Sequence, residues 1–577
     1  MFTPKPESPA PAPVGGLGDI GSPDTDLISR LARELWQEIS PSLASSAAGG
    51  ATPASLAAPA ASNGLAGAYP AHTPDYAPPV HPATESSTPA APGGASSGAA
   101  GASGSHPFGE PHCRAFDQPG QSPATPASAH APVFAPVGAQ GFTTPAYYFI
   151  REPAHASVHP SGLAGGSLPT ALPGLDVAAL RRDFPALHQR VNGRPLIWLD
   201  NAATTQKPQV VIDTLAHYYS KDNSNIHRGA HTLAARSTDA YEGGREKIRR
   251  FLGAGSAREI VLARGTTELI NLVAQTYGRK FIGAGDEIIL TTLEHHANIV
   301  PWQLLAEQVG AVIRVVPIND RGELLLDQFA GMLNSRTKLV GVVHVANALG
   351  TINPIEAIIP LAHAHGVPVL VDAAQSTPHI PINVQALDVD FLVFSGHKVF
   401  GPTGVGALYA KACWLEQLPP WQGGGNMIAD VTFAKTKYQD YPQRFEAGTQ
   451  SIADVIGLGA ALDYLQAVGL PAIAAYEHSL LEYATHALER IPGLRLIGTA
   501  AHKASVLSFT LPGYSSDEIG KHLDKHGIAV RASHHCAQPS LRRFGLETTV
   551  RPSLAFYNTH GEVDTLADAI GQLPARK

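Results

Sequence analysis

Two segments of the sequence place complementary chemistry just after predicted strands. Val371-Asp372-Ala373-Ala374-Gln375 supplies a carboxylate, and Phe394-Ser395-Gly396-His397-Lys398 supplies an amine beside a hydroxyl and an imidazole. Asp372 and Lys398 lie 26 residues apart, the span of one strand-helix crossover, which brings both to one rim of a parallel sheet, where open α/β folds bind ligands. A third segment, Gly265-Thr266-Thr267-Glu268, opens a predicted helix and offers an anion free N–H groups, two hydroxyls and the positive end of the helix dipole. The Lys398 amine can form a Schiff base, Asp372 can keep a pyridine nitrogen protonated, and Thr266, Thr267, Ser395 and His397 can bind a phosphate. Together they describe a site for pyridoxal 5'-phosphate (PLP). Singly each has a plainer explanation, since a Thr can be an N-cap and a Lys after a strand is usually solvated.

Further polar groups follow other strands. Glu294-His295-His296-Ala297-Asn298 offers His295 to lie over the cofactor ring and move protons, and His344-Val345-Ala346-Asn347 offers Asn347 to a ring oxygen or to substrate. These histidines have no carboxylate or thiolate at a recognised metal-ligand spacing, so no metal is expected. Arg531-Ala532-Ser533-His534-His535-Cys536-Ala537 sets a thiol beside two imidazoles. Alone it reads as a metal half-site, an inert buried thiol or a nucleophile whose reactive thiolate is favoured by its neighbours. Beside a Schiff-base Lys it points to sulfur chemistry.

The elements that must position these groups are legible as alternating strands and helices, the pattern of a sheet covered on both faces. Strands are expected at 259–263, 287–291, 312–317, 338–345, 367–373, 391–395 and 404–409, with helices at 267–277, 299–309 and 354–365 between them. After about residue 470 the pattern becomes mixed, with helices at 471–490, 516–526 and 562–572 and strands at 506–510, 528–533 and 553–556. The expected organisation is an extension over 1–174, a large cofactor-binding domain over 175–465 and a smaller α+β domain over 466–577, with the site at their junction.

Composition sets the first 174 residues apart. The whole chain has 577 residues, 44% hydrophobic and 15% charged, with 56 Gly, 48 Pro and a formal charge of -7. Lys is absent between Lys5 and Lys207, and between Pro41 and His130 the only charged residues are Asp75, Glu85, Glu110, Arg114 and Asp117. So Ala-, Pro-, Gly- and Ser-rich a stretch cannot bury enough apolar surface to offset its ordering entropy, and it is expected to be disordered. Two apolar islands interrupt it: Leu27, Ile28, Leu31, Leu35, Trp36 and Ile39 at helical spacing, and Tyr147, Tyr148, Phe149 and Ile150. Either they fold back on the globular part or they dock on a partner. No basic block suggests nucleic-acid binding, and no apolar run approaches the roughly 18 residues of a membrane span. Cys113, Cys413 and Cys536, odd in number and far apart, are expected as free thiols in a cytoplasmic protein.

From about Phe184 to the carboxyl end the sequence resembles the PLP-dependent cysteine desulfurases of group II, the SufS-like enzymes. The resemblance runs through Leu199-Asp200-Asn201-Ala202-Ala203, Ile226-His227-Arg228-Gly229, Arg264 to Glu268, Glu294 to Asn298, Ser395 to Lys398, Arg444-Phe445-Glu446-Ala447-Gly448-Thr449 and His534-His535-Cys536. It implies the α/β fold of type I aminotransferases and a homodimer in which Gly448 and Thr449 reach the cofactor phosphate of the other subunit. It also implies catalysis by Lys398, Cys536 and His295, a ring tuned by Asp372 and Gln375, and a substrate, L-cysteine, bound by Arg551, Asn347, Arg531 and His227. The products would be L-alanine and an enzyme persulfide on Cys536, passed to a SufE-like or SufU-like acceptor. Selenocysteine or cysteine-sulfinate cleavage on the same scaffold is the alternative, and a scaffold or targeting protein with incidental catalysis is another. The long extension is similar to the leaders of desulfurases carried as cargo in family 2 encapsulin shells, which implies a shell partner for residues 1–174. Ser533 stands where the family loop usually has Gly, and is expected to stiffen a turn that needs positive φ.

Overall fold

The computed structural model describes residues 175–226, 229–574 and 576, all within one compact unit, Gly104–Lys577. The extension over 1–174 with its two apolar islands, and the site candidate His227, lie outside the described residues.

A seven-stranded sheet forms the centre. Its strands in chain order are β1 (Ile260–Ala263), β2 (Glu287–Thr291), β3 (Val312–Val316), β4 (Thr337–Val343), β5 (Val369–Asp372), β6 (Phe391–Ser395) and β7 (Gly406–Ala410), arranged 1-7-6-5-4-2-3. β2 to β6 pair in parallel, whereas β7 runs antiparallel to both β1 and β6. The sheet is therefore mixed by one strand. β2, β5, β6 and β7 are buried along their whole length, as their near-continuous apolar runs require of strands covered on both faces. Phe391 and Phe394 of β6 are fully buried, each worth about 1.5–3 kcal/mol of transfer free energy.

A second, antiparallel sheet carries Arg531 and Arg551. Its strands are β8 (Arg495–Ile497), β9 (Ser508–Thr510), β10 (Arg531–Ser533) and β11 (Thr549–Arg551), in the order 8-9-11-10. Three expectations are corrected here. The run expected at 528–533 divides, because Ile528–Ala529 pairs in parallel with Ile197–Trp198 while Arg531–Ser533 pairs with β11. Residues 553–556 form no strand. The ladder ends at Arg551, since Pro552 has no N–H to continue it, and Ser553 makes only isolated bridges to Asp200 and Val506. The expected helix at 267–277 ends at Val273 and continues as a π-helical turn, Ala274–Gly278.

Long helices close the faces: α1 (Thr232–Leu252), α2 (Thr266–Val273), α3 (Ile452–Val468) and α4 (Leu470–Glu489). The backbones of α1 and α3 approach so closely that a Cβ on Gly244 would meet the Val455 carbonyl oxygen at 2.7 Å. Among the described residues no single helix is long and apolar enough to cross a membrane. Cys536 is a free thiol, but Cys413 is disulfide-bonded, contrary to the expectation of free thiols; an odd count excludes a fully paired framework, not a single bridge.

Candidate active site

The carboxyl ends of β4, β5 and β6, the start of α2 and the two strands β10 and β11 enclose a cavity of about 240 Å³. Of the residues expected in the site, Thr266, Thr267, His295, Asn347, Asp372, Gln375, Ser395, His397, Lys398, Arg531, Cys536 and Arg551 line it. Gly448 and Thr449 do not line the cavity of their own chain.

The local sequence explains the anion end. α2 is preceded by its N-cap Gly265, whose φ of 154° favours glycine and where a Cβ would lie 3.0 Å from Ser395 Oγ. Across from it a Cβ on Gly406 would come within 2.6 Å of the Gly265 Cα, so two glycines let β7 and the helix start meet backbone to backbone. Thr266 N–H donates to Ser395 Oγ at 2.9 Å, and that hydroxyl donates to Thr266 Oγ1 at 2.9 Å. Two hydroxyls and the helix N-terminus are thus held together facing the cavity.

At the amine and carboxylate end Asp372 is buried and Lys398 half-buried. Burial pushes the Asp372 carboxyl above its ordinary value, opposed by the Ala374 N–H at 3.0 Å and by the Lys398 charge. Lys398 is pushed down by burial, with Arg551 adding to the effect and Asp372 opposing it. A Lys that loses its proton more readily is a better nucleophile and proton acceptor. His295 is lowered to about 3, chiefly by burial and then by Lys398. Its Nδ1 accepts the Ala297 N–H at 3.1 Å, so the neutral ring carries its proton on Nε2. Burial also lowers His397 to about 4, and Lys398 and Lys207 add to it. Gln375 Nε2 donates to the Ala202 carbonyl at 2.5 Å.

The thiol arrives on a loop docked at both sides. His535 and Cys536 both take positive φ, 55° and 53°, a conformation that is costly for side-chain-bearing residues. The loop is held there by bonds to its carbonyls: Asn347 Nδ2 donates to His535 O at 2.6 Å and His296 N–H to Cys536 O at 2.8 Å. His535 Nε2 lies 2.8 Å from Thr549 Oγ1. Ser533 ends the strand β10 and is not among the positive-φ residues, so it does not occupy the positive-φ position expected of it; instead its Oγ accepts the His535 N–H at 3.1 Å. Cys536 is exposed while lining the same cavity as Lys398.

The donor set fits PLP. Among the described residues no cation lies within ion-pair distance of Asp372, and Arg551 Nε and Asn347 Oδ1 are buried without partners, polar atoms that a polar ligand would satisfy. Sequence reasoning assigned no role to Asp200, which binds both cavity arginines, nor to Lys207, whose ammonium lies 2.9 Å from the His397 carbonyl. Asp200 stood inside a quoted motif, the one signal that could have found it.

Residues 197–566 match the family model Aminotransferase class-V. The chain is 60% identical over 442 residues to a cysteine desulfurase of Synechococcus elongatus, covering 74% of this chain and 71% of the relative. It is 48% identical over 398 residues to an Escherichia coli O139:H28 cysteine desulfurase, covering 69% of this chain and 98% of the relative. The chain belongs to the cysteine desulfurases. The apo structure of the Thermococcus onnurineus NA1 cysteine desulfurase matches this desulfurase with a TM-score of 0.66 and 36% identity, over 71% of this chain and 99% of the other. As a class-V aminotransferase relative, the desulfurase has the type I PLP fold and uses PLP to take sulfur from L-cysteine.

Proposed function

We propose the following division of labour in the desulfurase. Arg551 and Asn347 hold the carboxylate of L-cysteine. Bound PLP supplies an aldehyde that joins the substrate amine and a protonated ring that takes up electrons released at the substrate carbon. Asp372 would hold the ring nitrogen, Gln375 the ring oxygen, and Thr266, Thr267, Ser395 and His397 the phosphate. Lys398 Nζ takes the proton from the substrate α-carbon. The Cys536 thiolate attacks the substrate sulfur and retains it as a persulfide as the bond from that sulfur to the β-carbon breaks and leaves its electron pair on the carbon fragment, which protons returned through Lys398 and His295 complete to L-alanine. The observation that carries this reading is the shared cavity of a half-buried Lys398 and an exposed Cys536, an arrangement that leaves the sulfur accessible to an acceptor once it has been transferred.

The same reading places the enzyme in group II, SufS-like, working as a homodimer in which Gly448 and Thr449 serve the other subunit and delivering sulfur to a SufE-like or SufU-like protein. It divides the chain into a large domain over 175–465 and a smaller one over 466–577. Residues 1–174 recruit the enzyme to an encapsulin shell in the cytoplasm; composition and layout of the extension support this, and deletion of residues 1–166 should end co-purification with the shell protein. The decisive test of catalysis incubates holoenzyme with L-cysteine and a reductant and scores alanine and sulfide. Wild type should yield both, and Cys536→Ser should lose both while keeping the visible band of bound cofactor. Retained cysteine turnover by Cys536→Ser would reject the reading, and comparing the variant on selenocysteine separates the lyase alternative.

A further inference from the structure

The turn after β4, which carries Asn347, is held by three consecutive carbonyls. Asn347 O accepts from Arg551 Nη1 at 3.0 Å, Ala348 O from the buried Ser508 Oγ at 2.5 Å, and Leu349 O from Lys503 Nζ. Main-chain pairing runs alongside: the Ala504 N–H donates to Gly350 O at 2.8 Å, and Thr351 forms an antiparallel bridge to Lys503. Lys503 Nζ also donates to Gly498 O at 2.8 Å, just past the end of β8, so it ties the turn to the edge strand of the second sheet. Neither Lys503 nor Ser508 lines the active cavity. Asn347 does, and its Nδ2 donates to His535 O at 2.6 Å, one residue before the thiol.

An amine at this place is costly. Among the described residues no carboxylate offsets its charge, and desolvation lowers it to about 7. A methionine would fill similar space without burying a charged group. What the amine adds is two donors for two carbonyls. We propose that Lys503 is a positioning residue that acts through Asn347: by holding the Leu349 carbonyl it fixes the turn from which Asn347 docks the Cys536 loop and orients Arg551. Anchoring the substrate carboxylate and docking the thiol then depend on one side chain outside the cavity. The carboxylate half rests on the reading of Arg551 and Asn347 as the substrate anchor, whereas the thiol half stands on the His535 contact alone.

The test uses holoenzyme, with L-alanine titrated against the visible band of bound cofactor and the alkylation of Cys536 by iodoacetamide timed on the same preparation, both well below each variant's unfolding midpoint. Lys503→Met should weaken alanine roughly fivefold and speed alkylation by a similar factor, the size of one lost hydrogen bond. Lys503→Arg, whose guanidinium can span both carbonyls, should bring both readouts back to within about twofold of wild type. Lys503→Gln, too short to reach both carbonyls, should move them in the same direction as Lys503→Met and provides a second reading should that variant fold poorly. A lower unfolding midpoint with both readouts at wild-type values would make Lys503 a packing residue and overturn the proposal. A change in alanine affinity without faster alkylation would overturn it too, because the turn would not be the element that transmits. If alanine leaves the wild-type band unchanged at saturating concentration, the anchor reading falls, and alkylation alone then decides: faster in Lys503→Met supports the positioning role, unchanged overturns it.

Discussion

The Lys207 ammonium lies 2.9 Å from the carbonyl oxygen of His397, the residue just before Lys398. The same oxygen also accepts from Thr204 Oγ1 at 3.0 Å and from the Thr205 hydroxyl and N–H, each at 3.2 Å. The segment after the first site motif therefore grips the turn that carries the reactive amine, and Phe400 N–H donating to Thr205 Oγ1 at 2.9 Å closes the grip from the other side.

Burial lowers the Lys207 pKa to about 8, from an unfolded value near ~10.4. Below about 8 the ammonium is charged in both states and its burial cost is fully present. Between about 8 and ~10.4 the unfolded chain keeps a proton that the native chain has released, so stability rises with pH across that window. Chemical denaturation at pH 7.5 and at pH 10, as round settings within reach of about 8 and ~10.4, should show a larger gain for wild type than for Lys207→Met. The same variant should bind PLP more weakly, read from the visible band on dilution.

Glu446 and Arg245 are both almost fully buried and meet at 2.7 and 2.9 Å. Glu446 Oε1 also accepts the Leu262 N–H of β1 at 2.8 Å, and its residue precedes Gly448 and Thr449 by only two and three positions. Glu446→Ala leaves the buried guanidinium with only the half-exposed Glu242, at 2.9 Å from its Nε, as counter-charge, a loss of about 3 kcal/mol. Replacing both residues by apolar ones of similar volume should cost less than the single change. Urea denaturation of the single and double variants checks the order, and a single variant as stable as wild type would contradict it.

How far the site was legible follows from what each residue must satisfy. Asp372 and Lys398 stood out because each ends an apolar run that only a buried strand explains, and a charge at such a place needs a reason. The direction of β7 was hidden, since a short apolar strand reads alike either way, and only Gly406 against Gly265 fixes how it fits. β11 was misplaced by a few residues because Leu554, Ala555 and Phe556 are as buried as Val550, and this apolar run masked the stop that Pro552 marks. Asp200 was invisible as a functional residue because its partners, Arg531 and Arg551, come from more than 300 positions away and no spacing rule links them.

Ser533 offers the last prediction. Its side chain caps the turn by accepting the His535 N–H, while the two residues that bear positive φ, His535 and Cys536, cannot be relieved by a glycine at 533. Ser533→Gly therefore removes a cap and adds backbone freedom without removing the strain. Each effect is worth about 0.5–2 kcal/mol, and both weaken the docked loop against the bonds from Asn347 and His296 that hold it. The variant should lose on the order of 1 kcal/mol in denaturation, and its Cys536 should alkylate faster in the resting enzyme because the loop samples undocked positions more often. An alkylation rate equal to that of wild type would show that the carbonyl bonds to Asn347 and His296 alone hold the thiol in place.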